Sequence, residues 1–237
     1  MKAQTLERAM SANEILRFAK ARGQRTLSEY DSKRVLADYG IPVCREDLAH
    51  SVDQAVFQAV RLGFPVAAKG CSHVLSHKTE GGWIQLDLRA EREVRTAYKR
   101  LSALAAGRIQ LDGVLVQEMV PGSRELVMGL VRDPQFGPCV MLGLGGIYTE
   151  LFQDTVFRMA PVDTADALDM VGELRSRDML DEFRGQAAAD VDAIVAALVA
   201  LGRIGLEEEG VAEIDINPVK IDPRGRVVAV DALVVLQ

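Results

Sequence analysis

The sequence predicts an α+β protein built from two lobes. Short stretches of alternating apolar and polar residues, typical of β-strands, recur as hairpins in both halves of the chain, and amphipathic helices lie between them. We expect the lobes to meet near 118–122, each with a sheet covered by helices on one side. The expected organisation is a helical segment at 1–26, an N-terminal lobe at 27–118 and a C-terminal lobe at 119–237.

The helices of the N-terminal lobe are predicted from their ends. Ser28 and Ser51 are expected N-caps, because each precedes an amphipathic stretch and is followed three positions later by a polar side chain that completes a cap. Gly40 and Gly63 are expected to end these two helices, and a short strand is expected around Val43.

A polar loop is expected to connect two short strands in this lobe. Residues 65–69 predict a strand that ends in a lysine, and 83–88 predict the returning strand. The loop at 70–82 ends in a glycine pair and contains His77 and Lys78. Backbone amides and ammonium groups in such a loop can close over phosphate, so the pattern allows either an anion cover or a plain polar surface hairpin.

The middle of the chain predicts strands followed by helices. Strands are expected at 113–120, 124–131 and 138–144. Helices are expected at 163–175 and 188–202. The second helix is strongly apolar, which predicts a buried support for the sheet.

The last part of the chain predicts a hairpin with oxygen-bearing side chains on one face. Glu213, Asp215 and Asn217 alternate with apolar residues, which gives the period of two of a β-strand. Pro218 interrupts this alternation, so we expect a bulge or a strand end there.

The second strand of this hairpin is expected at 226–235, after a turn at 222–225. It is nearly all aliphatic except for Asp231, and folding about the turn with one extra residue for a bulge sets Asn217 opposite Asp231. Amide and carboxylate oxygens are ligands that Mg²⁺ prefers. The spacing alone also allows a solvated strand face with an aspartate at a strand end.

Composition argues against several classes of protein. The net charge of −6, without a basic cluster interleaved with aromatic residues, argues against a nucleic-acid partner. The sequence lacks an apolar run of 18 residues that would span a membrane, and its first residues lack the apolar core of a signal peptide. The three cysteines, Cys44, Cys71 and Cys139, match neither a disulfide framework nor a metal pattern. The sequence therefore predicts a cytoplasmic protein.

Six segments, in order, resemble the ATP-grasp fold, and in particular the β subunit of ADP-forming acyl-CoA synthetases such as acetate–CoA ligase. The segments are LSEYDSKRVLADYGIPV, FPVAAKGCSHVLSHKTEGGW, GVLVQEMVPGSREL, FGPCVMLGLGGIYTELFQD, EIDINPVKID and VVAVDAL. They extend from about residue 27 to 236. The β chains of succinyl-CoA synthetase share this core, and their spacings from hinge Gln117 to Glu125 and from Asn217 to Asp231 recur here.

The resemblance implies a nucleotide site between the two lobes. Lys69 would contact the nucleotide phosphates. Gln117, Glu118 and Met119 would belong to the hinge strand that offers backbone groups to adenine. Glu125 would bind the ribose or support the nucleotide.

The resemblance also implies a metal site and a phosphate relay. Asn217 and Asp231 would hold Mg²⁺, with Asp215 beside them. His77 matches the histidine of the family's H-K-[S/T]-[D/E] motif, which relays phosphate between the phosphohistidine of a partner subunit and ADP. Lys78 would help to neutralise the charge of the transferred group.

The implied reaction is acyl-CoA + ADP + phosphate ⇌ carboxylate + CoA + ATP, with ATP or ADP and Mg²⁺ as cofactors. The sequence contains no strand–GxGxxG–helix unit for binding CoA. In this family CoA binding belongs to an α subunit, so we expect such a partner, two of each chain in a heterotetramer, and an incomplete enzyme without it.

Two other functions remain possible from the sequence. One is a self-contained ATP-grasp ligase that joins a carboxylate to an amine, although such enzymes normally carry an extra α/β domain before the ATP-grasp lobes. The other is a nucleotide-binding regulatory module without transfer chemistry, which the joint presence of Lys69, His77, Asn217 and Asp231 disfavours.

Overall fold

Two antiparallel β-sheets form the framework of the protein, which confirms the predicted α+β class. The structure is a computed structural model that describes residues 10–75, 81–146 and 154–237. The smaller sheet contains β1 (Glu46–Ala49), β2 (Val66–Cys71), β3 (Ile84–Leu88) and β4 (Gly113–Glu118). Its strand order is β1-β4-β2-β3, and each neighbouring pair is antiparallel.

The larger sheet belongs to the second half of the chain. Its strands are β5 (Arg124–Asp133), β6 (Gly137–Leu144), β7 (Thr155–Met159), β8 (Val211–Ile221), β9 (Val227–Ala229) and β10 (Ala232–Leu236). The order is β10-β8-β5-β6-β7, and β9 pairs with the end of β8 beyond β10. Strand β7 follows the glycine turn after β6, where the sequence pattern indicated no strand.

The described residues contain six α-helices. They are α1 (Ala12–Ala21), α2 (Glu29–Asp38), α3 (Val52–Leu62), α4 (Glu91–Ala105), α5 (Thr164–Glu173) and α6 (Val191–Glu207). Of these, α2 and α3 begin at the predicted caps, whereas the helix expected at 188–202 begins a few residues later. The Ser28 and Ser51 hydroxyls accept the predicted backbone hydrogen bonds at the starts of α2 and α3, each at 3.2 Å. Within the described residues, none of these helices has the length and apolar character that crossing a membrane requires.

Each sheet has its own apolar core. In the small sheet, Val66, Ala68, Val114 and Val116 pack with the apolar sides of α3 and α4. The large sheet packs with α6, as predicted, and also with α1 and α2. The domain boundaries stay predictions, but α2, which they assign to the N-terminal lobe, shares the core of the large sheet.

Strand β1 lies later in the chain than expected. The prediction of a strand around Val43 was wrong, because Val43 forms only an isolated bridge with Ala229. Pairing with β4 begins at Glu46, opposite Gln117. The sequence of β1 is half acidic, so its strand character comes from its partner strand and not from a local apolar pattern.

The final hairpin has an interruption that the sequence only partly predicts. The expected bulge at Pro218 is confirmed, because the pairing of β5 with β8 shifts register between Leu126 and Met128, opposite this residue. The second strand is not continuous: Val230 and Asp231 separate β9 from β10. This interruption matters because it releases the Val230 carbonyl from the ladder.

A buried group of charged side chains joins α2 to both sheets. The Lys33 ammonium donates to Glu29 Oε1 at 2.7 Å, to the Val230 carbonyl at 2.9 Å and to Glu46 Oε2. The Lys33 side chain is only 1% exposed. Three acceptors satisfy the three donors of the ammonium group, so Lys33 is held from three separate elements.

Burial governs the ionisation of this group. Burial lowers the pKa of Lys33, but the attraction of Glu29 and Glu46 outweighs it and leaves the pKa above its usual value. Burial raises the pKa of Glu46 to about 7, against the attraction of Lys33 and Lys69, and the Glu29 carboxylate adds to the rise. Burial likewise raises the pKa of the Cys44 thiol to about 11, so this cysteine stays neutral at physiological pH.

The pKa of Glu46 predicts a pH dependence of stability. It rises from 4.5 to about 7 on folding, so between these values the folded state binds this proton more firmly than the unfolded state. The free energy of unfolding should therefore fall as the pH rises through this window, by no more than roughly 3–4 kcal/mol, since one pKa unit corresponds to ~1.4 kcal/mol. Glu46→Gln should remove this part of the pH dependence in urea unfolding at pH 5 and pH 8.

The exposed Asp53, whose side chain is paired with Arg95 at the surface, gives the control Asp53→Asn. This variant should follow the wild type at both pH values. If Glu46→Gln keeps the full wild-type pH dependence, the assignment to Glu46 is wrong.

The turn of the final hairpin contains a glycine whose replacement by alanine should lower stability, whereas the same replacement at a control glycine in α5 should not. Gly225 has φ +84°, and a Cβ there would overlap the carbonyl oxygen of Ala188. Gly225→Ala should cost about 2 kcal/mol or more of stability, or at least ~4 °C in Tm. Gly172→Ala in α5, where a Cβ meets nothing within 4 Å, should be neutral or stabilising. Thermal unfolding compares them, and equal Tm values would contradict the steric argument.

Candidate functional site

Lys69 extends from the small sheet towards the final hairpin. Its neighbours Val66 and Ala68 point into the core with α3 and α4, and successive residues of a strand alternate, so Lys69 points to the opposite face. The residue is only 4% exposed. Its ammonium nitrogen lies 2.7 Å from Glu29 Oε1 and 3.8 Å from Asp231 Oδ2. Lys69 therefore brings a cation from one sheet to a carboxylate attached to the other.

Asn217 and Asp231 face each other in the hairpin, as the sequence predicts. The Asn217 backbone N–H donates to the Asp231 carbonyl at 3.2 Å, where the strand β9–β10 is interrupted. Asn217 is exposed, and the Asp231 side chain is 32% exposed, so both are accessible to a ligand. Their juxtaposition is confirmed, and their role as Mg²⁺ ligands stays a prediction.

Asp215 lies two residues before Asn217 on the same face of β8. Burial raises the pKa of Asp215, and the negative charges of Glu213 and Asp231 raise it further. The described residues contain no group of three or more His, Cys, Asp or Glu side chains that could hold a metal ion. The candidate ligand oxygens are the carboxylates of Asp215 and Asp231 and the side-chain amide of Asn217. Such a small set suits an ion that completes its coordination shell with phosphate and water.

Gln117 lies on the same face of the small sheet as Lys69. It pairs with Ala67 in β2 and with Glu46 in β1. Its Nε2 donates to the Val230 carbonyl at 2.7 Å and also contacts Cys44 Sγ. Gln117 Oε1 is buried and has no hydrogen-bond partner among the described residues. An acceptor therefore remains beside the hairpin for a ligand that brings a donor.

Glu118 points to the other face of the strand, where it holds Arg45. Its carboxylate accepts hydrogen bonds from the Arg45 backbone N–H at 2.8 Å and from Arg45 Nε at 2.9 Å. Burial opposes ionisation of Glu118, but these hydrogen bonds outweigh it and lower its pKa. The Glu118 N–H already donates to the Arg45 carbonyl at 2.9 Å. Adenine recognition by Glu118 and by the partly buried Met119 stays a prediction and would have to use other backbone groups.

Glu125 is located in β5 against the glycine turn. Its carboxylate lies 3.3 Å from the Lys220 ammonium, and its backbone carbonyl accepts the Gly145 N–H at 2.8 Å. A Cβ on Gly146 would lie 3.3 Å from Glu125 Oε2. The glycines thus let the turn approach Glu125 closely, and its role at the ribose stays a prediction.

His77 and Lys78 lie outside the described residues. The described strands on either side of this predicted loop are β2 and β3, and both predictions of strands there are confirmed. At the start of the loop, the Thr26 hydroxyl donates to the His73 carbonyl. At its end, Trp83 is buried in the core of the small sheet. Both flanks are therefore attached to the body of the protein.

Sequence reasoning missed the buried charges behind Lys69. Glu29 and Lys33 form an i,i+4 pair, which in a sequence is usually a sign of an exposed helix face. Here Glu29 is 2% exposed and contacts Lys69 from a position 40 residues earlier in the chain. The Glu29–Lys33 spacing was visible in the sequence, but the burial of the two side chains depends on tertiary packing that no local sequence pattern shows.

Asp154 is a buried carboxylate with a structural role. It accepts hydrogen bonds from the backbone N–H groups of Arg175 and Ser176 and from the Ser176 hydroxyl. Burial opposes its ionisation, but these bonds outweigh it and lower the pKa of Asp154. It connects the start of β7 to the turn after α5.

Comparison with known proteins agrees with this geometry. Residues 18–236 match the ATP-grasp domain family. The chain is 36% identical over 234 residues to the acetate–CoA ligase (ADP-forming) I subunit beta of Pyrococcus furiosus, covering 98% of this chain and 100% of that protein.

Solved structures give the same result. A "Ca. Korarchaeum cryptofilum" acetyl-coenzyme A synthetase 1 in complex with coenzyme A and Ca-AMPCP superposes with a TM-score of 0.89 at 42% identity, covering 95% of this chain and 100% of that one. Another structure of that synthetase contains coenzyme A and Mg-AMPPCP, with its phosphohistidine segment pointing towards the nucleotide-binding site; its TM-score is 0.83 at 40% identity and the same coverage. The chain therefore belongs to the ATP-grasp family, together with the β subunits of ADP-forming acetate–CoA ligases.

Proposed function

We propose that this chain is the nucleotide-binding β subunit of an ADP-forming acyl-CoA synthetase, which interconverts acyl-CoA, ADP and phosphate with a carboxylate, CoA and ATP. The observation that carries the proposal is the proximity of Lys69 to Asp231, at 3.8 Å. A phosphate chain with its metal needs a cationic donor beside metal-binding oxygens, and these two residues supply both.

The proposed Mg²⁺ ligands are Asn217 and Asp231, with Asp215 beside them. The donor set fits the ion, because a backbone hydrogen bond places Asn217 and Asp231 side by side, and Mg²⁺ prefers carboxylate and amide oxygens and completes its shell with phosphate and water. A cation would also relieve the repulsion between Asp215 and Asp231 that contributes to the raised pKa of Asp215. When bound, the ion neutralises phosphate charge. The Mg-AMPPCP in the related Korarchaeum structure supports this assignment.

The proposed adenine site is the strand that contains Gln117, Glu118 and Met119. The unpartnered Oε1 of Gln117 supports it, because the exocyclic amino group of adenine brings a donor. Glu125 would support the nucleotide from β5, with its carboxylate oriented by Lys220. In this arrangement the nucleotide lies between the two sheets, with its phosphates against Lys69.

His77 is the proposed carrier of the phosphoryl group, with Lys78 beside it to offset charge. The phosphohistidine segment of the related Korarchaeum synthetase, which points towards the nucleotide site, supports this role. With ATP as donor, a His77 nitrogen attacks the γ-phosphorus. The N–P bond forms while the bond to the ADP oxygen breaks, and ADP leaves with the electron pair.

The proposed partner is a CoA-binding α subunit. The proposed assembly is a heterotetramer with two copies of each chain, and its proposed location is the cytoplasm. The Pyrococcus furiosus relative is named as a subunit beta, which supports a second subunit. This chain with ATP should accept phosphate, but thioester formation should require the α subunit.

The metal site predicts a loss of nucleotide affinity. Asn217→Ala and Asp231→Asn should each weaken Mg-ADP binding about tenfold or more, because each removes a ligand oxygen or its charge. Calorimetry with Mg-ADP measures this. Glu213→Gln is the control on the same face of β8, and it should bind like the wild type. Unchanged affinity in both site variants would exclude the proposed metal ligands.

The relay predicts a phosphoprotein. Incubation with γ-labelled ATP and Mg²⁺, with and without the α subunit, should give an acid-labile, base-stable label that His77→Ala abolishes. His77→Ala should still bind Mg-ADP, since its imidazole acts on the phosphate only during transfer. His50→Ala, at an exposed histidine after β1, should be labelled like the wild type. A wild-type protein without label, even with its α subunit, would refute the relay.

A further inference from the structure

One carboxylate oxygen, Oε1 of Glu29, accepts hydrogen bonds from two ammonium groups. The Nζ atoms of Lys33 and Lys69 each lie 2.7 Å from it. The Glu29 side chain has no exposed surface, so both contacts are shielded from solvent. A buried ammonium group requires a carboxylate or other acceptors, and Glu29 serves both lysines.

The first of these lysines is fully engaged. Lys33 donates to Glu29, to Glu46 and to the Val230 carbonyl, which accounts for its three N–H groups. These acceptors belong to α2, β1 and the final hairpin. Lys33 is therefore fixed in place, and it fixes Glu29, which precedes it by one turn of the same helix.

The second lysine has donors to spare. Among the described residues, the hydrogen-bond acceptor of Lys69 is Glu29, and the nearest further charge is Asp231 Oδ2 at 3.8 Å. That distance is beyond a hydrogen bond. Glu29 thus fixes the Lys69 ammonium group on one side, and the N–H donors of Lys69 near Asp231 remain available to a ligand.

We propose that Glu29 is a positioning residue for the nucleotide phosphates: it holds the Lys69 ammonium group in place facing Asp231. This inference rests on the proposed nucleotide site and adds a residue to it. A lysine has a long flexible stem, and fixing its ammonium group before the ligand arrives lowers the entropy lost on binding. Glu29 acts through Lys69 and does not itself contact the phosphates.

Glu46 supplies a matched control for this role. Glu29 and Glu46 are both buried carboxylates that accept a hydrogen bond from Lys33. Only Glu29 of these two also accepts one from Lys69. A purely structural role for the buried charges predicts similar effects of Glu29→Gln and Glu46→Gln on nucleotide binding, whereas the positioning role predicts different effects.

The experiment measures two ligands with the full-length chain. Calorimetry gives the affinity for Mg-ADP, and saturation-transfer NMR gives the affinity for adenosine, which lacks phosphates. Glu29→Gln should weaken Mg-ADP binding about tenfold or more, as expected for loss of a charge-assisted hydrogen bond that orients Lys69. Its affinity for adenosine should stay within about twofold of the wild type. Glu46→Gln should change neither affinity by more than about twofold.

Lys69→Met separates failure of this inference from failure of the proposed site. If Lys69→Met loses Mg-ADP affinity and Glu29→Gln does not, Glu29 has no positioning role and the nucleotide site stands. If the wild type does not bind Mg-ADP, the proposed function is wrong, and the positioning role of Glu29 is wrong with it. Equal losses for Mg-ADP and adenosine in Glu29→Gln would show a structural defect and overturn the assignment.

A second variant covers the case in which Glu29→Gln does not fold. The triple variant Glu29→Gln/Lys33→Met/Glu46→Gln removes the Lys33 ammonium group together with both of its carboxylate partners, so neither an unpaired ammonium group at position 33 nor an unpaired carboxylate at position 46 remains. It should fold and show the same selective loss of Mg-ADP affinity. If neither variant folds, Glu29 is required for folding, and the assignment to Lys69 is overturned.

Discussion

The buried ammonium group of Lys33 is the interaction on which the arrangement of the site depends. It belongs to α2, which shares the core of the large sheet, yet it hydrogen-bonds to Glu46 in the small sheet and to Val230 in the final hairpin. A charge in an apolar environment is stable only when it is paired and fully hydrogen-bonded, so the three acceptors must stay in place together. Removing one partner of such a group typically costs about 3–5 kcal/mol.

The interruption of the hairpin provides one of these acceptors. Because β9 ends at Ala229 and β10 begins at Ala232, the Val230 carbonyl points to side chains and accepts from both Lys33 and Gln117. The same interruption places Asp231 beside Asn217 and Lys69. The irregular segment that weakens the ladder thus connects the two sheets and exposes the proposed metal ligands.

Charge at this junction is distributed by depth. Glu29 and Glu46 are buried and both pair with the buried Lys33, whereas Asp231 is partly exposed. Lys69 lies between these two zones. A phosphate chain with its metal can therefore reach Lys69 and Asp231 without disturbing the buried pairs. Among the described residues, the two lysines differ in their hydrogen bonds: Lys33 uses all three donors within the protein, whereas Lys69 uses one on Glu29 and keeps donors for the proposed ligand.

The sequence by itself determined many of the local elements, and its short motifs predicted the residues of the proposed nucleotide site. The caps at Ser28 and Ser51, the bulge at Pro218 and the juxtaposition of Asn217 with Asp231 all follow from interactions over a few residues or across one hairpin. Tertiary structure alone decided where β1 begins, where the second hairpin strand is interrupted and that Glu29 and Lys33 are buried. The reason is that burial and pairing of these groups depend on partners 13 to nearly 200 residues away, which local propensity does not encode.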